Sequence, residues 1–217
     1  GKNLIGSFHQ PRLVLSDTDV LASLPARQLR AGYAEVVKYG VIDRPDFFAW
    51  LERHGPALLE GDALAQQHAI VESCRAKAAL VAVDERETGA RALLNLGHSF
   101  GHALEALAGY GEALLHGEAV ALGIVLAAAL SVRLGFCPAA DAERIRRHLA
   151  AVGLPTSRAA IAAPGLAPDA IVAAMARDKK VEDGRLRFVL LRGIGQAFAG
   201  AEVEPAELLA LLRAPEP

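Results

Sequence analysis

Three of the seven histidines lie close together along the chain, at positions 98, 102 and 116. His98 and His102 are four residues apart, so on a helix they project from the same face. A glycine-containing turn at residues 109–111 would bring His116 back to them at the start of the next helix. Imidazole is the commonest metal ligand, and catalytic zinc sites use three protein ligands. The spacing therefore allows a metal site, although capping or half-exposed histidines would give the same pattern.

Two oppositely charged residues, Glu35 and Lys38, stand in the otherwise apolar run GYAEVVKYG at residues 32–40. On a helix surface such a pair contributes only about 0.2–0.5 kcal/mol. Because the neighbouring residues leave little polar surface, Glu35 also fits the role of a carboxylate ligand. The pattern alone leaves both interpretations open.

A further lysine, Lys77, falls along the predicted apolar stripe of its helix. That stripe is predicted at Ile70, Cys74, Ala78 and Val81. A lysine there either extends its ammonium group to water or lies in a polar cavity with a displaced pKa, as functional lysines do.

A charged, glycine-containing stretch leads into the segment of His98. Within it, Glu87, Arg91 and Asn95 are spaced by four residues. Arginine offers a fixed fork of donors to phosphate or carboxylate, and an asparagine at a helix start can cap the helix or present its amide to a ligand. A salt bridge and an N-cap would use the same residues. The run DKK at residues 178–180 also allows two interpretations, because basic residues at a helix C-terminus interact favourably with the helix dipole whether or not they bind a ligand.

The elements that must position these residues are mostly helices, with one small hairpin. Helices are predicted over residues 27–42, 47–54, 62–83, 95–108, 116–134, 140–152, 168–177 and 205–213. We expect Gly32 to interrupt the first helix and the Gly55-Pro56 pair to end the second. Alternation at residues 185–191 followed by a glycine turn predicts the hairpin, and residues 12–15 are strand-like. The predicted fold is mainly α with minor β structure.

Composition excludes several classes of protein. The 217 residues are 53% hydrophobic, 22% charged and 5% aromatic, with a formal net charge of -2, which argues against disorder and against a nucleic-acid partner. The apolar run at residues 119–130 is shorter than the ~20 residues of a membrane span and predicts a buried core helix. Cys74 and Cys137 lie far apart, which favours buried free thiols and a reducing cytoplasm. The chain contains neither a dinucleotide fingerprint nor a P-loop motif.

Together these segments resemble the 3-dehydroquinate synthase family. The matching runs are GKNLIG at 1–6, AEVVKYG at 34–40, Lys77 with DERETG at 84–89, RALLNLGHSFGH at 91–102, HGEA at 116–119 and DKK at 178–180. The resemblance implies the helical C-terminal domain of the dehydroquinate synthase-like fold. Residues 26–217 would form a metal- and substrate-binding domain, and residues 1–25 a joining segment with a strand that faces NAD. The N-terminal NAD-binding domain of the family would be absent from this chain.

The resemblance also implies an activity. The family converts a seven-carbon 2-keto sugar-acid phosphate (DAHP) to 3-dehydroquinate and phosphate in the shikimate pathway, with catalytic NAD and a divalent metal, zinc or cobalt. It implies a phosphate-eliminating lyase in the cytoplasm, a small-molecule substrate and a homodimer in the full-length form, with no nucleic acid and no membrane as partner. We expect the isolated chain to be nearly inactive, because hydride transfer requires the cofactor to be held in place.

Roles for individual residues follow from the resemblance. It makes Glu35, His98 and His116 the metal ligands and His102 a proton-shuttling group beside the substrate. The matching substrate-site positions are Asn3, Lys38, Lys77, Glu87, Arg91, Asn95 and, of the two adjacent lysines, Lys180. The positions that match an NAD contact are Lys2, Val20, Leu21, Ala22 and Ser23. The alternatives are another sugar-phosphate cyclase or a metal-dependent polyol dehydrogenase of the same architecture, or a helical binding domain without catalysis.

Overall fold

The computed structural model describes residue 9 and residues 12–86, 89–163, 165–178 and 186–215. These residues form eight α-helices, three 3₁₀ turns and one two-stranded antiparallel sheet. The helices are α1 (Ala26–Asp43), α2 (Pro45–Leu59), α3 (Ala63–Val83), α4 (His98–Ala108), α5 (His116–Arg133), α6 (Ala139–Ala151), α7 (Pro168–Asp178) and α8 (Pro205–Arg213); the 3₁₀ turns are Thr18–Ser23, Ala90–Asn95 and Arg158–Ala160; the strands are β1 (Leu186–Leu191) and β2 (Ala197–Val203). The predicted fold class, mainly α with minor β structure, is confirmed.

Helix α5 is the centre of the core. It is apolar on all sides, and such helices are buried in large cores. Helices α1, α4 and α6 and strand β1 pack around it. By length and composition this helix would also pass for a membrane span, but 72% of the relevant window is buried inside the protein. The prediction of a buried core helix is therefore confirmed.

Local signals explain where several elements begin. Asp62 caps α3, since its Oδ1 accepts a hydrogen bond from the backbone N–H of Ala65 at 2.8 Å. The backbone N–H of Leu115, just before α5, donates to the Glu118 carboxylate at 2.9 Å. The hairpin forms where the glycine turn predicts it. It is joined to the core through Ser131, whose Oγ accepts a hydrogen bond from the Leu191 backbone N–H at 2.9 Å.

Two predicted helix breaks are wrong. Gly32 lies inside the continuous helix α1, and α2 runs through Gly55 and Pro56 to Leu59. A side chain at Gly55 would overlap the hydroxyl of Tyr33. Gly55 therefore allows α2 to pack closely against α1, and it does not end the helix.

The strand-like run at residues 12–15 is also a wrong prediction. Residues 13–17 have no regular structure, and the side chains of Leu13, Val14 and Leu15 are exposed. A strand needs a partner for its backbone hydrogen bonds, and no other described residues pair with this run.

Helix α3 buries a different face from the predicted one. Its buried residues are Ala65, Ala69, Ala76 and Leu80, whereas Cys74, Lys77 and Ala78 are exposed. The helix is rich in alanine and other apolar residues on every side, so periodicity does not single out one face. Packing against α1 and α2 decides it. The expectation of two buried thiols consequently holds for Cys137 and fails for Cys74.

A buried tyrosine–histidine pair joins α1 to α6. The Tyr33 hydroxyl lies 3.0 Å from Nε2 of His148, and both residues are buried. Burial lowers the pKa of His148 below its ordinary value of 6.5, although Glu52 opposes the shift. In the folded protein His148 is therefore neutral at pH values where the unfolded chain already binds a proton.

Stability is consequently expected to fall as the pH drops below about 6.5. Above that pH the imidazole is neutral in both states, and below it the unfolded state binds more protons. We expect His148→Gln, which retains a hydrogen-bonding side chain but does not titrate, to show a shallower loss of urea midpoint between pH 7.5 and 5. Equal slopes in the two proteins would contradict the assignment.

Candidate metal centre

Three helices bring Glu35, His98 and His116 together, and these residues come from α1, α4 and α5. Their ligand atoms all lie within 4.8 Å of one another. Nε2 of His98 and Nε2 of His116 are each 3.5 Å from Oε1 of Glu35. A tetrahedral zinc ion with bonds of about 2.1 Å holds its ligand atoms about 3.4 Å apart. The two separations from Glu35 therefore match those in a zinc site.

The second nitrogen of each imidazole is also engaged. Nδ1 of His98 lies 3.1 Å from the carbonyl oxygen of Leu96, and Nδ1 of His116 lies 2.9 Å from Oε2 of Glu105. Both partners accept a hydrogen bond from Nδ1–H. With Nδ1 protonated in this way, a neutral imidazole carries its lone pair on Nε2, the nitrogen that faces Glu35, and this is the state that binds a metal ion.

Lys38 orients the carboxylate of Glu35. The lysine is only 5% exposed. Its Nζ lies 2.6 Å from Oε2 of Glu35 and donates a hydrogen bond to the carbonyl oxygen of Leu94 at 2.7 Å. One oxygen of Glu35 thus faces the lysine, and the other faces the two imidazoles. Lys38 is buried and Glu35 is partly buried, so the pair is not an ordinary exposed ion pair on a helix surface.

The electrostatics favour the ligand forms of Glu35 and His98 at neutral pH, whereas the hydrogen bond with Glu35 raises the pKa of His116. The His116 imidazole must therefore release a more tightly held proton when a metal ion binds. Burial alone would raise the pKa of Glu35, but the hydrogen bond with His116 and the charge of Lys38 outweigh it and hold the pKa at about 2. Burial, assisted by the charge of Lys38, lowers the pKa of His98 to about 4. Glu35 is therefore an anion and His98 a neutral imidazole near pH 7.

His102 lies beside the three converging residues but is not one of them. Its ring centroid is 5.4 Å from that of His98 and 6.2 Å from that of His116. Spacing alone had made it an equal candidate for a ligand. The structure separates it from the group of described residues whose ligand atoms converge.

The cleft at the centre opens between α1 and the start of α5. It has a volume of about 280 Å³ and is lined by Glu35, His116, Gln28, Ala31, Gly32, Leu115 and Gly117. A second, mainly apolar groove of about 190 Å³ shares Gln28 and Gly32 with it and includes Leu21. The two grooves therefore adjoin along α1.

The buried Asp84 accepts hydrogen bonds from backbone groups at the start of the second 3₁₀ turn. Oδ2 of Asp84 accepts hydrogen bonds from the backbone N–H groups of Gly89 at 2.7 Å and Arg91 at 2.9 Å. The guanidinium of Arg91 donates to the carbonyl oxygen of Glu85 at 2.6 Å. Asp84 thus holds the backbone of Gly89 and Arg91, a role that sequence reasoning did not assign.

Asn95 ends a 3₁₀ turn and does not cap α4. The cap residue of α4 is Gly97, whose φ of 80° is in the left-handed region. Asn95 lines a separate cleft of about 360 Å³ together with Ser99 and residues of the hairpin, including Arg187. The alternative in which Asn95 caps α4 is therefore wrong.

The structure describes some of the remaining predicted site residues and leaves others outside the described ranges. Lys77 is exposed, yet its charge contributes to the lowered pKa of Lys38, for which burial is the main cause. The residues of the predicted NAD contact that the structure describes, Val20, Leu21, Ala22 and Ser23, form part of the first 3₁₀ turn. The others, Lys2, Asn3, Glu87, Lys179 and Lys180, lie outside the described residues.

Glu105 is a residue of this centre that sequence reasoning missed. It lies seven residues after His98 and three after His102, so all three share one face of α4. This spacing could have identified Glu105 as a candidate site residue from the sequence.

Comparison with family profiles gives two matches. The profile described as 3-dehydroquinate synthase C-terminal matches residues 32–181, and the profile described as 3-dehydroquinate synthase N-terminal matches residues 1–31. Both the metal-centre residues and the first 3₁₀ turn therefore fall within matched segments.

Curated relatives align with nearly the whole chain. A 3-dehydroquinate synthase from Rhodospirillum rubrum is 63% identical over 215 residues, which are 99% of this chain and 56% of the relative. One from Nitrobacter winogradskyi is 60% identical over 95% of this chain and 55% of its own length. The chain thus spans about half the length of the curated relatives it matches.

Two solved structures share the fold. A 2-epi-5-epi-valiolone synthase from Streptomyces hygroscopicus subsp. jinggangensis, with NAD⁺ and Zn²⁺ bound, has 31% identity and a TM-score of 0.83, over 97% of this chain and 57% of its own. A 2-deoxy-scyllo-inosose synthase complexed with carbaglucose-6-phosphate, NAD⁺ and Co²⁺ has 27% identity and a TM-score of 0.80, over 98% of this chain and 59% of its own.

Proposed function

The chain belongs to the 3-dehydroquinate synthase family, and on that premise we propose that it is the metal- and substrate-binding part of an enzyme that converts DAHP to 3-dehydroquinate and phosphate. The observation that carries this proposal is the convergence of Glu35, His98 and His116 with their ligand atoms within 4.8 Å of one another. Residues 26–217 form the domain that holds the metal and substrate, and residues 1–25 form the segment that joins it to the NAD-binding part.

Glu35, His98 and His116 are proposed to hold a divalent metal ion. One carboxylate and two imidazoles form a donor set suited to zinc, with a fourth position open to substrate. Structural relatives with bound Zn²⁺ and Co²⁺ support this choice. When bound, the ion supplies Lewis-acid chemistry that lowers the pKa of coordinated hydroxyl groups.

The surrounding residues act on the substrate in this proposal. His102 moves a proton beside the metal centre, since imidazole is the side chain whose ordinary pKa lies nearest neutrality. Lys38 keeps the Glu35 carboxylate in its binding orientation. The substrate carries a carboxylate and a phosphate, and the groups proposed to bind and orient it are Lys77, Arg91, Asn95, Asn3, Glu87 and Lys180.

NAD is proposed to approach from the side of the joining segment. Lys2, Val20, Leu21, Ala22 and Ser23 would contact it there. The match of the N-terminal profile to residues 1–31 and the NAD⁺ bound to both structural relatives support this placement. The proposal includes the lyase activity, a small-molecule sugar-acid phosphate as substrate, a cytoplasmic location and a homodimeric full-length enzyme.

A chimaeric enzyme tests the proposal. The matched region of the R. rubrum relative is replaced by this chain, which aligns with it over 99% of its length, and phosphate release from DAHP is measured with NAD and zinc. We expect release comparable with that of the unaltered relative, and almost none from the 217-residue chain alone. A folded, zinc-loaded chimaera that releases no phosphate would contradict the proposal.

A related cyclase is the second candidate, because the structural relatives are cyclases of other sugar phosphates. The same chimaera distinguishes the two. Arg91 and Asn95 supply donors for the carboxylate of DAHP, which a heptulose 7-phosphate lacks. Phosphate release from DAHP and none from heptulose 7-phosphate supports the synthase, and the reverse preference supports the related cyclase.

A further inference from the structure

Glu105 contacts the metal centre from outside the three converging residues. Its side chain is only 14% exposed, and its Oε2 lies 2.9 Å from Nδ1 of His116. Nε2, the other nitrogen of that ring, faces Glu35. Glu105 and Glu35 therefore approach the same imidazole through different nitrogens.

His116 is the converging residue that most needs such a contact. Its side chain is 43% exposed, compared with 15% for His98. It is also the first residue of α5, so less of the surrounding protein limits its rotation. His98, by contrast, is largely buried and is held by the carbonyl oxygen of Leu96.

We propose that Glu105 is a positioning residue that accepts a hydrogen bond from Nδ1–H of His116 and so holds Nε2 towards the metal ion. The inference rests on the proposed metal centre and adds a residue to it. A partner at the second nitrogen fixes the tautomer and the ring orientation of a histidine ligand and increases its basicity. Because Glu105 is on α4 and His116 is on α5, the contact also joins two of the helices that carry metal ligands.

Glu105 is not a fourth ligand in this arrangement. The group of described residues whose ligand atoms converge consists of Glu35, His98 and His116. The carboxylate of Glu105 is bonded to the nitrogen that does not face Glu35. Its effect on the metal ion therefore passes through His116.

Zinc affinity of the chain, measured by competition with a chromogenic chelator, tests this role. We expect Glu105→Gln, which keeps the size of the side chain but loses its charge, to bind zinc about 10-fold more weakly, and Glu105→Ala about 100-fold more weakly. The absorption bands of the cobalt-loaded protein should change in both variants, because the orientation of a ligand changes. Circular dichroism of metal-free Glu105→Gln should match that of the wild type, which establishes that the variant is folded.

Glu112→Gln is the matched control, since Glu112 is an exposed carboxylate in the turn between α4 and α5. It removes the same charge, and we expect unchanged zinc affinity. Wild-type affinity and an unaltered cobalt spectrum in Glu105→Gln and Glu105→Ala would overturn the role of Glu105, while zinc bound to the wild type would leave the proposed metal centre standing. A wild-type chain that binds no zinc would overturn both.

Discussion

The His98→Ala variant is expected to lose its bound zinc, whereas His102→Ala is expected to keep it. Nε2 of His98 lies 3.5 Å from Oε1 of Glu35, within the group of three converging residues, and His102 is outside that group. Removing one of three protein ligands leaves a centre with two, fewer than catalytic zinc sites use. Removing His102 leaves the three intact.

Zinc per folded chain, measured by elemental analysis, distinguishes the two variants. His116→Ala is the matched control for ligand loss, and circular dichroism establishes that each variant is folded. Equal loss of zinc from His98→Ala and His102→Ala would make His102 a ligand and contradict its proposed role.

Turnover separates the roles further. In the chimaera, His102→Ala should retain zinc and release phosphate about 10²–10⁴-fold more slowly, the usual contribution of a positioned acid–base group. Retained zinc with unchanged turnover would remove His102 from the proposed mechanism while leaving the metal centre intact.

Gly117→Ala is expected to destabilise the protein and weaken its metal centre together. Gly117 follows His116 at the start of α5, and a Cβ there would overlap the backbone carbonyl of Ala31 in α1. A backbone carbonyl cannot swing away as a flexible side chain can, so the two helices must separate. We expect a loss of about 3 kcal/mol in the free energy of unfolding, towards the upper part of the range for overpacking. The separation would also move His116 away from Glu35 and lower zinc affinity.

Gly32→Ala is the matched control in α1. An added Cβ at Gly32 meets no atom within 4 Å, and alanine is the better helix former. We expect this variant to be more stable by about 0.5–1 kcal/mol. Urea denaturation and zinc titration of both variants provide the comparison. Wild-type stability and zinc affinity in Gly117→Ala would show that close contact between α1 and α5 is not required.

Helices were predictable where their signals are local. The start of α3 after Asp62, the apolar helix α5 and the hairpin follow from capping, hydropathy and turn residues that act within a few positions. The predicted break at Gly55 failed because this glycine makes room for Tyr33, a residue of another helix. The prediction of the buried face of α3 was wrong for a related reason. This alanine-rich helix has no single apolar side, so its packing against neighbouring helices decides which face is buried.

For the candidate site, too, some features follow from the sequence and others depend on helix packing. The residue types and spacing of His98, His102 and His116, and the runs that resemble the family, are properties of the sequence alone. The resemblance already implied that Glu35 joins His98 and His116 and that His102 has another role. Tertiary structure supplies the physical reason, and it alone places Glu105 2.9 Å from Nδ1 of His116. Glu35 lies 63 positions before His98 in the chain, and only the packing of α1 and α4 against α5 brings the two into contact. Local spacing determines which side chains share a helix face, whereas helix packing determines which faces meet.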